Sequence, residues 1–402
     1  MLHYKFPEIT HIDQVLPHIE GDSAFGVFQR YGGYTIIDYN FISSDTFPVV
    51  ENEDDIRNKM RRECRGLIFD TEGKLISRRY HKFKNLGENE ELLPENVDFD
   101  EPHIITEKLD GSMCSPALIN GKIEWITRMG ITFISEQVEA WLKADLVRNK
   151  NYTRFAEAMI HQNSTPIFEW CSRKNRVVID HPVDMLVLTA IRWNDTGRYC
   201  SLGYFNFVAE NFNIEVVKTF DYDAKNILDI VRSQENTEGV VIRFNDGHMI
   251  KCKSDWYVSI HRAKSFITNE RQVTKAIVEG TIDDVLPLLP VEDRDMVTTF
   301  QKKLFDIISR KTIRFHQLAK ERIDMFPTPK EYALSDKFKR DVNLLTTLMF
   351  SVYNKKIELV VETVHEHIIN YMKRHLNNTK NYDDMKTLLF PRLDYRFEYQ
   401  EN

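Results

Sequence analysis

His103-Ile104-Ile105-Thr106-Glu107-Lys108-Leu109-Asp110-Gly111-Ser112 is an apolar run that closes on a lysine, an aspartate and a Gly-Ser pair. The run reads as a strand, and a lysine at its end can serve as a nucleophile. Lys-x-Asp-Gly is also an ordinary surface turn, so the pentapeptide decides nothing alone; its company does. Downstream, Met113 to Ile119 and Ile123 to Thr127 flank Asn120-Gly121, the strongest short hairpin signal available. Two further hairpins are predicted. One joins residues 66–70 to 74–77, the other 239–244 to 248–253. Strands are expected at 34–42, 166–172 and 185–193. Helices are expected near 135–148, with Ser135 as cap, and near 152–161.

From about Ala263 the strand signals stop and a helical period takes over. Leu304, Ile307, Ile308, Phe315 and Leu318 fit one helical face within 291–325. Further helical patterns run over 342–353 and 357–375, and Pro327 and Pro329 separate the first from the rest. The expected fold class is α+β: a first domain over 1–262 of antiparallel sheets and helices, then an all-α domain over 263–402. The last few residues are expected to fray.

The chain has 402 residues, 29% charged and 42% hydrophobic, with a net charge of −7. That is the profile of a soluble globular protein with two or three domains. No apolar stretch approaches a membrane span, and the N-terminus lacks a signal pattern. Cys64, Cys114, Cys171, Cys200 and Cys252 are dispersed and form no Cys-x-x-Cys pair, which argues against a disulfide framework or a zinc site and fits the cytosol. The acidic balance does not predict a nucleic-acid partner, yet it leaves room for a local basic groove.

Nucleotidyl transfer to a lysine needs a particular set of groups. The amine must be neutral to attack phosphorus, and from an ordinary pKa near ~10.4 that costs about 4 kcal/mol at neutral pH. Nearby positive charge lowers the cost. The phosphates need cations through an in-line displacement, and carboxylates must hold a metal. The predicted strands supply this set: Arg65, Lys82 and Lys84, Glu169 inside Ile167-Phe168-Glu169-Trp170, Glu238 before Gly-Val-Val-Ile, and Lys251 and Lys253. The last two alternate along one strand and share a face.

These residues resemble the covalent nucleotidyltransferases, and more closely the RNA ligase 1 family of T-even-type phages. The resemblance is carried by Glu63-Cys64-Arg65-Gly66, Lys82-Phe83 with Asn85-Leu86, Lys108 to Ser112, Phe168-Glu169 with Asn175-Arg176, Glu238-Gly239 and the long run Lys251 to Ser259. It covers Tyr39 to His261; the helical region is similar only in length and character. It implies an ATP-grasp-like ligase fold and an ATP-dependent RNA ligase. Such an enzyme joins 5′-phosphate to 3′-hydroxyl ends through lysyl-AMP on Lys108 and an RNA-adenylate.

By the same resemblance, Tyr39, Arg65 and Lys82 contact the nucleotide or its phosphates. Glu169 binds the ribose or orients metal-bound water, and Glu238 holds Mg²⁺, for which Mn²⁺ can substitute. Asp110 assists that metal or positions the nucleophile. Lys251 and Lys253 bind the α-phosphate, and Tyr257 serves the RNA steps. Asp283 falls where the family has a metal site in its helical domain; an exposed helix-start aspartate reads equally well. The implied substrate is a broken tRNA anticodon loop, repaired together with an end-healing kinase/phosphatase in the cytoplasm, with no membrane involved.

Two departures stand out. Lys84 occupies a family aromatic position. Arg128 lies one residue early relative to a family lysine, which reverses its face in a strand unless a bulge intervenes, so Arg128 is left out of the expected site. His365-Glu366-His367 is not His-Glu-x-x-His and reads as a solvated helix face. Lys302, Lys303, Arg310, Lys311, Arg314, Lys320 and Arg322 read mainly as a solvated face, some of them as RNA contacts. The competing enzymes, a DNA ligase or a capping-type nucleotidyltransferase, would carry a β-barrel after the lysine pair. An inactive RNA-binding homologue would not need the intact lysines and glutamates.

Overall fold

The computed structural model describes residues 5–43 and 45–395. The terminal residues expected to fray lie outside them. The chain divides into two compact units, residues 1–258 and 259–401.

The first unit opens with β1 (Phe25–Arg30), β2 (Tyr34–Tyr39), α1 (Ile56–Glu63), β3 (Leu67–Phe69) and β4 (Leu75–Ser77). The four strands form an antiparallel sheet in the order β1-β2-β3-β4. Next come β5 (Lys84–Asn85), β6 (His103–Lys108), β7 (Ser112–Ile119), β8 (Lys122–Thr127), α2 (Phe133–Lys143), α3 (Leu146–His161), β9 (Ser164–Cys171) and β10 (Met185–Trp193). They are followed by α4 (Leu202–Phe212), β11 (Thr219–Phe220), α5 (Ile227–Arg232), β12 (Gly239–Phe244) and β13 (Met249–Lys253). A second sheet runs β10-β9-β7-β8 and a third β11-β6-β12-β13-β5. Among the paired strands of the described residues the short pairing of β5 with β13 is parallel, as is an isolated bridge between Leu188 and Val216.

All three expected hairpins form, and so do the strands of 34–42, 166–172 and 185–193. The helix expected over 135–148 is instead two. Thr132 is the N-cap of α2, and Ser135 stands three residues into it, accepting the Thr132 N–H at 3.1 Å. Asp145 then caps α3 by accepting from the Val147 and Arg148 amides at 2.9 and 3.0 Å. An aspartate that satisfies two orphan amides starts a helix afresh and ends the uninterrupted reading.

A buried network fixes the first sheet's loops. The Glu63 carboxylate has no exposure and accepts from Arg78 Nε at 3.0 Å and from Arg192 Nη1 and Nη2 at 2.8 Å. Burial alone raises a carboxyl pKa, but Arg192 and then Arg78 outweigh it and hold Glu63 ionised.

The chain passes from the first unit into the second along α6 (Asp255–Ile267). The second unit holds α7 (Glu270–Glu279), α8 (Val291–Met325), α9 (Pro329–Leu334), α10 (Asp336–Arg340), α11 (Asn343–Tyr353), α12 (Val361–His375) and α13 (Thr379–Leu389). Its core is the α8 stripe Val297, Phe300, Leu304, Ile308, Phe315 and Ala319, which packs on α11, α12 and α13. The three- and four-residue spacing puts these side chains on one face. Two expectations change here. His365 and His367 are half-buried against Thr312 and Thr347 rather than solvated, with ring nitrogens 3.5 and 3.1 Å from the hydroxyls. Arg322 is buried in a two-pronged pair with Asp341 at 2.9 Å, and Lys311 donates to the Leu388 carbonyl at 3.0 Å, so both serve the fold. Among the described residues no helix is long and apolar enough to cross a membrane.

Candidate active site

β12 is the pivot of the site. Its first residue, Gly239, pairs with Lys108 of β6 on one side and Lys253 of β13 on the other. Gly239 has φ +142°, and a Cβ there would collide with the Cys252 carbonyl oxygen. Glycine therefore lets three backbones close up, and Glu238, one residue earlier, stands between both lysines. One Glu238 oxygen lies 2.7 Å from Lys108 Nζ and 2.8 Å from Lys253 Nζ.

The electrostatics follow from this pairing. Burial acts to raise the Glu238 pKa, but Lys108 and Lys253 overcome it and depress it. Burial likewise acts to lower that of Lys108, but Glu238 and Glu169 push it above its ordinary value. This pairing thus holds Lys108 as a charged ammonium. Glu169 lies on β9 opposite Met113, and no side-chain hydrogen bond or ion pair engages its carboxylate among the described residues. Burial raises its pKa to about 8 against the pull of Lys108, with Glu238 adding to the rise. Lys251, two residues before Lys253 on the same face, is pushed down to about 7 by burial and then by Lys108, Lys82 and Lys253.

A second group of cations gathers near Tyr39. Lys82 Nζ lies 5.6 Å from the Tyr39 ring centroid and 5.3 Å from that of Phe47. Burial, then Arg65, brings the Lys82 ammonium down to about 8, against Glu88. Arg65 lies between α1 and β3 rather than on a strand, with Nη1 3.8 Å from Met113 Sδ. The Phe83 ring lies 5.8 Å from Lys251 Nζ, next to Lys84, where the resemblance implies an aromatic.

Arg128 belongs to this group, contrary to the sequence reading. Strand alternation does not apply to it, because β8 ends at Thr127 and Arg128 enters the turn bridged by Thr127 and Gly130. Its guanidinium carbon sits 4.4 Å from the Tyr39 ring centroid, and its Nε lies 3.3 Å from Asp38 Oδ2. Asp38 was also missed. An aspartate inside the apolar stretch Thr35-Ile36-Ile37-Asp38-Tyr39 was the available signal.

Of the two roles expected of Asp110, beside a metal or in positioning the nucleophile, its contacts fit the second. It is buried, and its Oδ2 accepts from the Val178 and Ile179 amides, both at 2.7 Å, while Oδ1 accepts from the Tyr257 hydroxyl at 2.7 Å. With both oxygens occupied, Asp110 ties the loop after β9 and the start of α6 to the lysine strand. Asn175 Nδ2 donates to Ser112 Oγ at 2.7 Å from the same loop. Tyr257 is itself buried, with its hydroxyl on Asp110 and its ring 4.9 Å from Lys253 Nζ. Tyr257→Phe leaves a buried carboxylate oxygen short of a donor. It should lower stability by about 1.5–3 kcal/mol, measured by denaturant unfolding.

The two carboxylates facing Lys108, Glu238 and Glu169, offer oxygen donors of the kind a hard divalent cation takes alongside water and phosphate. Asp283, by contrast, is exposed in a turn of the second unit. No group of three or more metal-ligating side chains occurs among the described residues.

Residues 63–257 match the family model described as RNA ligase. A protein of Thermovibrio ammonificans provisionally named as an RNA ligase is 28% identical over 292 residues, covering 69% of this chain and 71% of its own. A provisionally named bifunctional polynucleotide kinase/RNA ligase of Autographa californica nuclear polyhedrosis virus is 26% identical over 253 residues, covering 57% of this chain and 35% of its own. RNA ligase 1 of bacteriophage TS2126 is 23% identical over 237 residues, covering 57% of this chain and 58% of its own.

Proposed function

We propose, from the match of residues 63–257 to the RNA ligase family model, that this chain seals RNA ends with ATP through a lysyl-AMP on Lys108. The observation that carries this reading is the single Glu238 oxygen shared by Lys108 and Lys253. In the first step the Lys108 Nζ–phosphorus bond forms, the bond from the α-phosphorus to its bridging oxygen breaks, and pyrophosphate leaves. AMP then passes to an RNA 5′-phosphate. A 3′-hydroxyl finally displaces AMP and closes the phosphodiester.

Before the first step Lys108 must lose its proton and its hold on Glu238. Mg²⁺, or Mn²⁺ in its place, would be held by Glu238 and Glu169 and would supply the charge that favours neutral Lys108. Lys251 and Lys253 then meet the α-phosphate, while Arg65, Lys82 and Arg128 form the cationic wall by Tyr39. Asp110 and Tyr257 position the nucleophile strand.

The test is incubation with α-labelled ATP or GTP and magnesium, followed by denaturing electrophoresis. Label on the protein from ATP alone supports the reading. Label from GTP favours a capping-type enzyme, and none from either favours an inactive RNA-binding homologue. Nicked duplex DNA as a sealing substrate separates the DNA ligase alternative.

The helical unit is proposed to select the RNA, a nicked tRNA anticodon loop prepared by an end-healing kinase/phosphatase in the cytoplasm. Its support is a stripe on α8. Lys303, Arg310 and Arg314 are exposed at seven- and four-residue spacing and so share one face, although Arg310 also meets Asp306 at 2.6 Å. Replacing all three with glutamine should flatten the slope of log affinity against log salt for such an RNA by about 2. Lysyl-AMP formation should stay within twofold of wild type. An unchanged slope by filter binding over a salt series would remove the stripe from the RNA contact.

A further inference from the structure

Two carboxylates of the first unit are fully buried beside arginines, and they are treated differently. Glu63 is saturated by Arg78 and Arg192. Asp38 has no exposure, yet neither of its oxygens has a well-aligned donor among the described residues, although the Tyr39 amide bears on its charge. Its close ionic contact is Arg128 Nε, at 3.3 Å. A carboxylate buried only to hold the fold would be expected to carry donors on both oxygens, as Glu63 does.

What Asp38 touches leads to the cleft. It immediately precedes Tyr39 on β2, and Arg128 reaches from Asp38 across the Tyr39 ring. The turn that carries Arg128 is pinned from behind. Arg79 Nη1 donates to the Thr127 carbonyl at 2.8 Å and Arg79 Nη2 to that of Gly66. Gly66, at φ +78°, has no Cβ to press on the Arg128 carbonyl, which would lie 2.9 Å from one. Arg128 Nη1 is buried and has no partner among the described residues, so one donor of the fork is unspent.

We propose that Asp38 is a positioning residue: its buried carboxylate aims the Arg128 guanidinium over Tyr39, where it meets the phosphates of ATP beyond the α. This rests on the reading that the cleft takes ATP. The direction follows from the order of the cations. Lys108 and Lys253 share Glu238, and the charge of Lys251 feels Lys108, Lys253, Lys82 and Arg65. Lys82 feels Arg65 and Arg128 and lies against Tyr39. Two cations thus share Glu238 and two others share the Tyr39 ring, and a polyphosphate is the part of the substrate that would suit the second pair while the α-phosphate meets the first. The charge of Asp38 also acts on Arg79 and Arg65 beside Arg128. Burial moves its carboxyl up to about 6, with Arg128 the chief opposing charge, so it is mainly ionised at neutral pH.

The test is a double-mutant cycle on the full-length protein with Asp38→Asn, Arg128→Gln and the pair. The readouts are lysyl-AMP formation against ATP concentration, sealing of RNA already bearing a 5′-adenylate, and melting temperature. Asn is isosteric and removes a buried charge, so folding should be retained; Asp38→Ser repeats the test if it is not. Each single change should raise KM for ATP about tenfold with kcat altered less than threefold, and the pair should be no worse than Arg128→Gln alone. Sealing of adenylated RNA, which needs no β- or γ-phosphate, should fall less than threefold. Additive effects on KM, or an equal loss in both reactions, overturns the positioning role. A wild-type protein that forms no lysyl-AMP overturns the proposed function instead, and coupling between the two sites is then read from the melting temperatures of the same cycle.

Discussion

Lys108→Ala should show no transfer of label from α-labelled ATP to the protein, while still joining RNA that already carries a 5′-adenylate. The first loss is complete because no other lysine stands where Lys108 does, between Glu238 and Glu169 at the end of β6. The nearest substitute, Lys253, is committed to Glu238 at 2.8 Å. The second activity survives because sealing an adenylated end forms no bond to lysine. The fold should survive as well, since Glu238 keeps Lys253 as its counter-ion and is not stranded as an uncompensated buried charge. A melting curve separates that outcome from collapse. Stable label on the alanine variant at any other lysine would remove Lys108 from the chemistry.

The elements that build this site were readable to different depths. The hairpin of β12 and β13 announced itself through Asn245-Asp246-Gly247, and the alternation of Lys251 and Lys253 followed from its period. Gly239 gave no such sign. Its importance lies in the approach of Cys252, a contact across strands that local pattern does not encode. For Asp110 two roles stayed open, at a metal or in positioning the nucleophile, because its amide donors Val178 and Ile179 lie far along the chain in a loop without periodicity. Arg128 was rejected by a correct rule applied past the end of its strand, a boundary one residue wide. α1 was missed because its face is lined by Lys59, Arg61, Arg62 and Glu63, charged residues that are buried only through partners elsewhere in the first unit. Side chains whose burial depends on distant partners are where sequence reading stopped.

Lys251→Ala should lower kcat/KM for lysyl-AMP formation by about 10²–10³, with kcat carrying most of the loss. That is the scale of removing one donor aimed at charge that grows in the transition state, about 2.7–4 kcal/mol. A rise in KM alone would make Lys251 a ground-state contact. The pH profile gives an independent reading, because kcat/KM reports the free enzyme. There, Lys251 is charged only below about 7. Lys108, held above its ordinary value by Glu238, is neutral only in a small fraction that grows as pH rises. The reactive form needs Lys251 charged and Lys108 neutral. Its population therefore climbs up to about pH 7 and then levels, since each further gain at Lys108 is matched by a loss at Lys251. Ionisation of Glu169 near 8 can bend both wild-type and variant profiles, so the comparison between proteins carries the argument. Lys251→Arg keeps a permanent charge, and its profile should go on rising above pH 7 where the wild type flattens. Identical profiles for the two would show that Lys251 does not titrate in the free enzyme. The cation at that position would then act without any change of proton number when ATP binds.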